Sequence, residues 1–74
     1  MNKSEISIII TAHHEGLFLQ KTILSILESA KSLEKSVKYE ILLNLDNPDS
    51  ETRRVANLWS ENPLFIISEV SFGN

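Results

Sequence analysis

Three short apolar runs, separated by two segments of helical length and periodicity, constrain this chain more than any other feature. Residues 6–12 read ISIIITA, residues 39–45 YEILLNL and residues 64–70 LFIISEV. None alternates strictly between apolar and polar positions, so each is expected to be a strand buried on both faces, as in a parallel sheet. Asn44 interrupts the aliphatic stretch of the second run. Asn62-Pro63 introduces the third as a turn signal.

Residues 17–36 carry Leu19, Ile23, Ile26, Leu27, Ala30 and Leu33 at steps of three and four, which line one face of a helix. Glu28, Lys31, Glu34 and Lys35 are left for the solvent side. Residues 48–62 hold a second helix, with Val55, Leu58 and Trp59 on its inner face. Asn47 is expected to cap it and Pro48 to sit in its first turn, while Asp49 and Glu51 favour the positive end of the dipole. The order strand, helix, strand, helix, strand predicts a parallel sheet with right-handed crossovers. It is a Rossmann-like βαβαβ half of a doubly wound α/β fold, with helices on both faces in three layers, α/β/α. Such halves bind mononucleotides at the carboxyl ends of their strands.

The chain has 74 residues, one domain at most. A domain of this size buries only about 60% of its unfolded surface. There are no cysteines, which excludes disulfides and cysteine-based zinc sites. Seven basic and ten acidic residues give a net charge of −3, and no basic run exceeds Arg53-Arg54. The electrostatic footprint of a nucleic-acid binder is missing. The longest unbroken aliphatic run, Ile8-Ile9-Ile10, is too short to span a bilayer, and nothing before it reads as a signal peptide. The expectation is a soluble, cytoplasmic piece. The last residues, Val70 to Asn74, follow a strand directly, so residues 1–74 are expected to form an incomplete domain.

Three polar segments fall beyond the predicted strand ends: Thr11 to Gly16, Asp46 to Ser50 and Ser71 to Asn74. With only two glycines, Gly16 and Gly73, neither GxGxxG nor a P-loop can be present. A nucleotide would have to be held by side chains. Asp46, ending a buried strand, is placed to accept a hydrogen bond from a ribose hydroxyl or a base N–H; equally, an aspartate there can be an ordinary turn or cap residue. His13-His14-Glu15 contains zinc-type donors, but adjacent side chains diverge and no further ligand has suitable spacing. A flat imidazole packing on a nucleobase is the use favoured for His13. Thr11 can simply end its strand, Trp59 reads as core, and Arg53 and Arg54 read as a solvated helix face. No nucleophile triad or paired carboxylates stand out.

These residues together resemble a family. The run Ile6 to Glu15 is similar to the opening of family 2 glycosyltransferases, where a hydrophobic strand leads into a Pro/Thr-x-Tyr/His-Asn-Glu loop. Thr22-Ile-Leu-Ser-Ile-Leu27 resembles that family's T-[IL]-x-S-[IL]-L. Tyr39 to Thr52 resembles its second strand and Asp-Asp-Gly-Ser-x-Asp-x-Thr loop, and Val70-Ser-Phe-Gly-Asn74 the lead into its Arg-Asn segment. The four motifs run in order and cover the chain from Ile6 to Asn74. Leu45 stands at the first aspartate position, Asn47-Pro48 replaces Gly-Ser, and His14 stands where asparagine is common.

The resemblance implies a GT-A fold and transfer of a sugar from a nucleotide-diphosphate donor, a UDP-sugar, to a glycan acceptor such as a surface polysaccharide. It implies that Thr11, His13, Glu15 and Asp46 surround the donor nucleotide, with His13 at the stacking position and Asp46 matching the second aspartate of the pair. It also implies a divalent cation, Mn²⁺ or Mg²⁺, as Lewis acid for the departing diphosphate. The Asp-x-Asp that holds this ion and the catalytic base lie further along such chains, so these 74 residues alone are expected to be inactive. The longer enzyme would be cytoplasmic, or peripheral at the inner face of the membrane. The competing expectations are a non-catalytic Rossmann-like module that binds a nucleotide or a protein, and a chain that self-associates through an exposed sheet edge.

Overall fold

The computed structural model describes residues 5–71. Its elements follow the predicted order: β1 (Ile6–Ala12), α1 (Leu17–Ala30), β2 (Tyr39–Asp46), α2 (Ser50–Asn57) and β3 (Phe65–Val70). The strands form one parallel sheet in the order β1-β2-β3. Ile6 to Ala12 of β1 pairs in register with Tyr39 to Leu45, and Ile41 to Asp46 of β2 with Phe65 to Val70.

The register sorts the strands into two faces. Ile8, Ile10 and Ala12 lie level with Ile41, Leu43 and Leu45, and Phe65 and Ile67 continue the first two of these rows on β3. Ile10, Ala12, Ile41, Leu43, Leu45 and Phe65 are buried, together with Leu19, Ile23 and Ala30 of α1 and Val55 and Ala56 of α2. This is the core, and it lies wholly on the helix side.

The opposite face carries Ile9, Leu42 and Ile66 in one row, and no described element covers it. Ile9 is 63% and Ile66 54% exposed. The three-layer α/β/α expectation is therefore corrected: the described residues form two layers, sheet and helices. Right-handed crossovers that step the same way from β1 to β2 to β3 place both helices on one side. Only a reversal of strand order sends a helix to the other. The aliphatic runs suggested strands covered on both faces, and among the described residues one of those faces is open.

Both helices are shorter than their periodicity suggests. After Ala30 the chain winds on through three-residue bonds, with Leu33 N–H donating to Ala30 O over 2.9 Å and Ser36 N–H to Leu33 O over 2.9 Å. Such tightening satisfies carbonyls that a helix end leaves bare. The capping of α2 is also corrected. Asp49, not Asn47, is its N-cap: Asp49 Oδ1 accepts from Thr52 N–H over 2.9 Å. Asn47 instead has a positive φ of 50°, a conformation asparagine tolerates better than most residues.

Leu58 was expected on the inner face of α2 but is 68% exposed. The buried stripe of α2 is Thr52, Val55 and Ala56, continued by half-buried Trp59. At about 100° per residue, Leu58 falls outside that stripe. Trp59 stacks on Phe65 with ring centroids 5.1 Å apart, and its indole N–H donates to Gln20 Oε1 over 2.9 Å. That arrangement suits an amphipathic ring at a core margin.

Candidate functional site at the carboxyl end of the sheet

Beyond the carboxyl ends of β1 and β2, two loops are knotted together by hydrogen bonds. The amide of Gly16 donates to Thr52 Oγ1 over 2.8 Å. The amide of Asp49 donates to His13 O over 3.3 Å, and His14 Nε2 lies 3.0 Å from Asn47 O. The amide of Asn47 donates across to Val70 O of β3 over 2.7 Å. Three strand ends are thus held in one fixed arrangement.

Gly16 makes this possible. It caps α1 with φ 54° and ψ −133°, a conformation that side chains make costly. A Cβ there would also lie on the Glu51 carboxylate. Thr52 is fully buried, and its hydroxyl both accepts from Gly16 and serves Asp49. Hydrogen bonding from the Thr52 side chain, then from its amide, holds the Asp49 carboxyl below the ordinary range.

The predicted site residues fall as follows. Thr11 ends the open face of β1, level with Asn44 of β2 and, one strand further, Ser68 of β3. Ser68 Oγ donates to Asn44 Oδ1 over 2.7 Å, so a polar row crosses all three strands. Asp46 lies on the same face two residues past Asn44. His13 Nδ1 is 3.6 Å from Asp46 Oδ2, an ion pair whenever the imidazole carries its second proton. Both side chains are open to solvent, at 53% and 43% exposure. Glu15 turns back on its own loop, its Oε1 accepting from the His13 amide over 2.5 Å.

So Thr11, His13 and Asp46 share one corner of the sheet, while Glu15 buttresses the loop behind them. The third segment, Ser71 to Asn74, lies outside the described residues except for Ser71, whose hydroxyl donates to Glu69 Oε2 over 3.1 Å. Sequence reasoning missed Asn44 and Ser68 as part of this corner. The available signal was parity: Asn44 and Asp46 are two apart on one strand and must face the same way. Arg53 lies exposed, as expected of a solvated helix face, and from there forks onto Glu69 through Nε at 3.1 Å and Nη2 at 2.8 Å, linking α2 to β3. That pair raises the Arg53 pKa and lowers that of Glu69.

Concavities of about 180 Å³ and 410 Å³ lie along α1, and Thr11, His13, Glu15 and Asp46 line neither. Among the described residues, no group of three or more His, Asp or Glu side chains stands close enough to hold a metal ion. No described helix is long and apolar enough to cross a membrane. Compared with protein-family models, curated proteins and solved structures, the chain has no match in any of the three.

Proposed function

We propose that this chain is the donor-nucleotide part of a family 2 glycosyltransferase of the GT-A kind. In this reading it binds the nucleotide of a UDP-sugar whose sugar passes to a glycan acceptor. The observation that supports the reading is the corner where His13 and Asp46 meet at 3.6 Å, past the carboxyl ends of adjacent parallel strands. Mononucleotide-binding half-folds use that end of the sheet. An exposed imidazole offers a flat face for the base, and an exposed carboxylate accepts from a ribose hydroxyl or a base N–H. The Thr11 hydroxyl lies one step down the same face, and the Glu15 carboxylate fixes the backbone that carries His13.

In this reading the chain binds and orients the nucleotide and does no chemistry itself. The divalent ion would stabilise the departing diphosphate, held by ligands that the family carries elsewhere. Binding of UDP by these residues is therefore expected to be independent of metal. The test is an NMR titration of the labelled chain with UDP, with and without Mn²⁺, on the native chain and on Asp46→Ala. Shifts at Thr11 to Glu15 and Asp46 to Ser50 that persist without metal and vanish in the variant support the reading. A folded spectrum unmoved by millimolar UDP, or shifts elsewhere that Asp46→Ala leaves intact, would overturn it.

A further inference from the structure

His13 and His14 are neighbours in the chain, and their rings go to different places. The ring of His13 stands at the Asp46 corner, with Nδ1 3.6 Å from Asp46 Oδ2. The ring of His14 crosses to the β2–α2 loop, where Nε2 lies 3.0 Å from Asn47 O. A carbonyl only accepts, so Nε2 must carry the hydrogen, as it does in one neutral tautomer and in the cation.

The two ends of that bond are not equally firm. Asp46 is the last residue of β2 and pairs with Val70, and the next amide, Asn47 N–H, donates to Val70 O over 2.7 Å. A φ of 50° at Asn47 then turns the chain out of the strand, and its carbonyl is met by the imidazole. Asp46 is thus fixed by the sheet. His13 is not, since it lies one residue past the end of β1 in an exposed stretch with His14 and Glu15. Its amide is held by Glu15 of the same stretch, which shapes the loop without placing it. Among the described residues, two hydrogen bonds carry residues 13–15 onto the β2–α2 loop. One is His14 Nε2 to Asn47 O; the other, from the Asp49 amide to His13 O, is the longer at 3.3 Å.

We propose that His14 is the positioning residue of the candidate site. Its bond to Asn47 O docks the loop after β1 onto the end of β2, and so sets the His13–Asp46 separation that a nucleotide meets. His14 acts through His13 and not by touching the nucleotide. The consequence for binding rests on the nucleotide reading above; the placement of His13 against Asp46 does not.

The test compares the native chain with His14→Gln and His14→Ala. The amide nitrogen of glutamine stands about as far from Cβ as Nε2 of histidine and donates the same bond, while alanine donates none. Glutamine also carries no charge, so rescue by it assigns the effect to the hydrogen bond and not to an imidazolium. The first readout needs no nucleotide. In either variant His13 is the one histidine left, and the ¹³C resonance of the Asp46 carboxylate is followed by NMR as that imidazole is protonated. The carboxylate is expected to respond in the native chain and in His14→Gln, and the response to be lost in His14→Ala. The second readout is affinity for UDP, expected to fall about fivefold in His14→Ala, the worth of one ordinary hydrogen bond, and to be restored in His14→Gln. Urea unfolding of the three chains is expected to be nearly alike, because positions 14 and 47 are both exposed. An Asp46 response that survives in His14→Ala, or that His14→Gln fails to restore, would overturn the proposal. So would UDP binding that His14→Ala leaves unchanged. The expected Asp46 pattern in a chain that does not bind UDP would support the positioning role and overturn the nucleotide reading.

Discussion

Gly16 and Thr52 are 36 residues apart, yet the amide of the first donates to the hydroxyl of the second over 2.8 Å at a fully buried position. This bond joins the loop after β1 to the first turn of α2. Both loops of the candidate site therefore inherit their geometry from a contact that none of Thr11, His13, Glu15 and Asp46 makes. Replacing Thr52 by Val keeps the shape and removes the acceptor, leaving a buried amide without its partner. The expected loss is about 1–3 kcal/mol, read from urea unfolding of Thr52→Val against the native chain. Thr52→Ser, which retains the hydroxyl, is expected to lose less.

Gly16 itself supplies the second prediction. Its φ of 54° with ψ −133° is open to glycine and strained for any side chain. Gly16→Ala is expected to cost about 1–3 kcal/mol, the usual range for such backbone strain. The approach of the new Cβ to Glu51 adds little, since a glutamate tip can swing away. The double variant Gly16→Ala, Glu51→Ala therefore separates the two effects. Thermal unfolding is expected to show it nearly as destabilised as Gly16→Ala alone.

Most of this frame was legible in the sequence because it rests on periodicity. The aliphatic runs located β1, β2 and β3 to within a residue, since a strand core needs little more than unbroken apolar character. What periodicity cannot convey is which face of a sheet a neighbour will cover. Ile9, Leu42 and Ile66 look as buried in the sequence as Ile10, Leu43 and Ile67, and among the described residues the strand order puts both helices on the face away from them. Helix ends were hidden for a different reason. Asn47 and Asp49 are both good caps, and the choice fell to Asp49 because Thr52 offers it a hydrogen bond. At the site, His13 and Asp46 could be named from the strand ends. The Asn44–Ser68 bond could not, because it depends on the β2–β3 register.

Acid should loosen the start of α2. The Asp49 carboxyl is held below its ordinary pKa, first by the Thr52 hydroxyl and then by the Thr52 amide, with a smaller contribution from His14. A carboxyl lowered by folding contributes stability that is complete above its unfolded value, about 4, and is lost as pH falls through its folded value. Unfolding midpoints measured downward from pH 5 should therefore decline in the native chain. Asn caps helices about as well as Asp but does not titrate, so Asp49→Asn should decline less steeply over that range. Equal slopes in the two chains would show that Asp49 plays no part in acid unfolding.

His13 divides a functional role from a structural one. Its ring is 53% exposed, and its one side-chain partner among the described residues is Asp46 at 3.6 Å, so replacing it should leave stability within about 0.5 kcal/mol. If the ring stacks on a base, planarity matters and the imidazole nitrogens do not. His13→Phe is then expected to bind UDP about as well as the native chain. His13→Ala is expected to lose about 1–3 kcal/mol of binding, the measured worth of a base–aromatic stack. If the ring acts instead by orienting Asp46, both variants lose the Nδ1 contact and both bind more weakly. Isothermal titration of the three chains with UDP distinguishes the cases. Equal binding by all three would remove His13 from the site and leave Asp46 to hold the nucleotide without it.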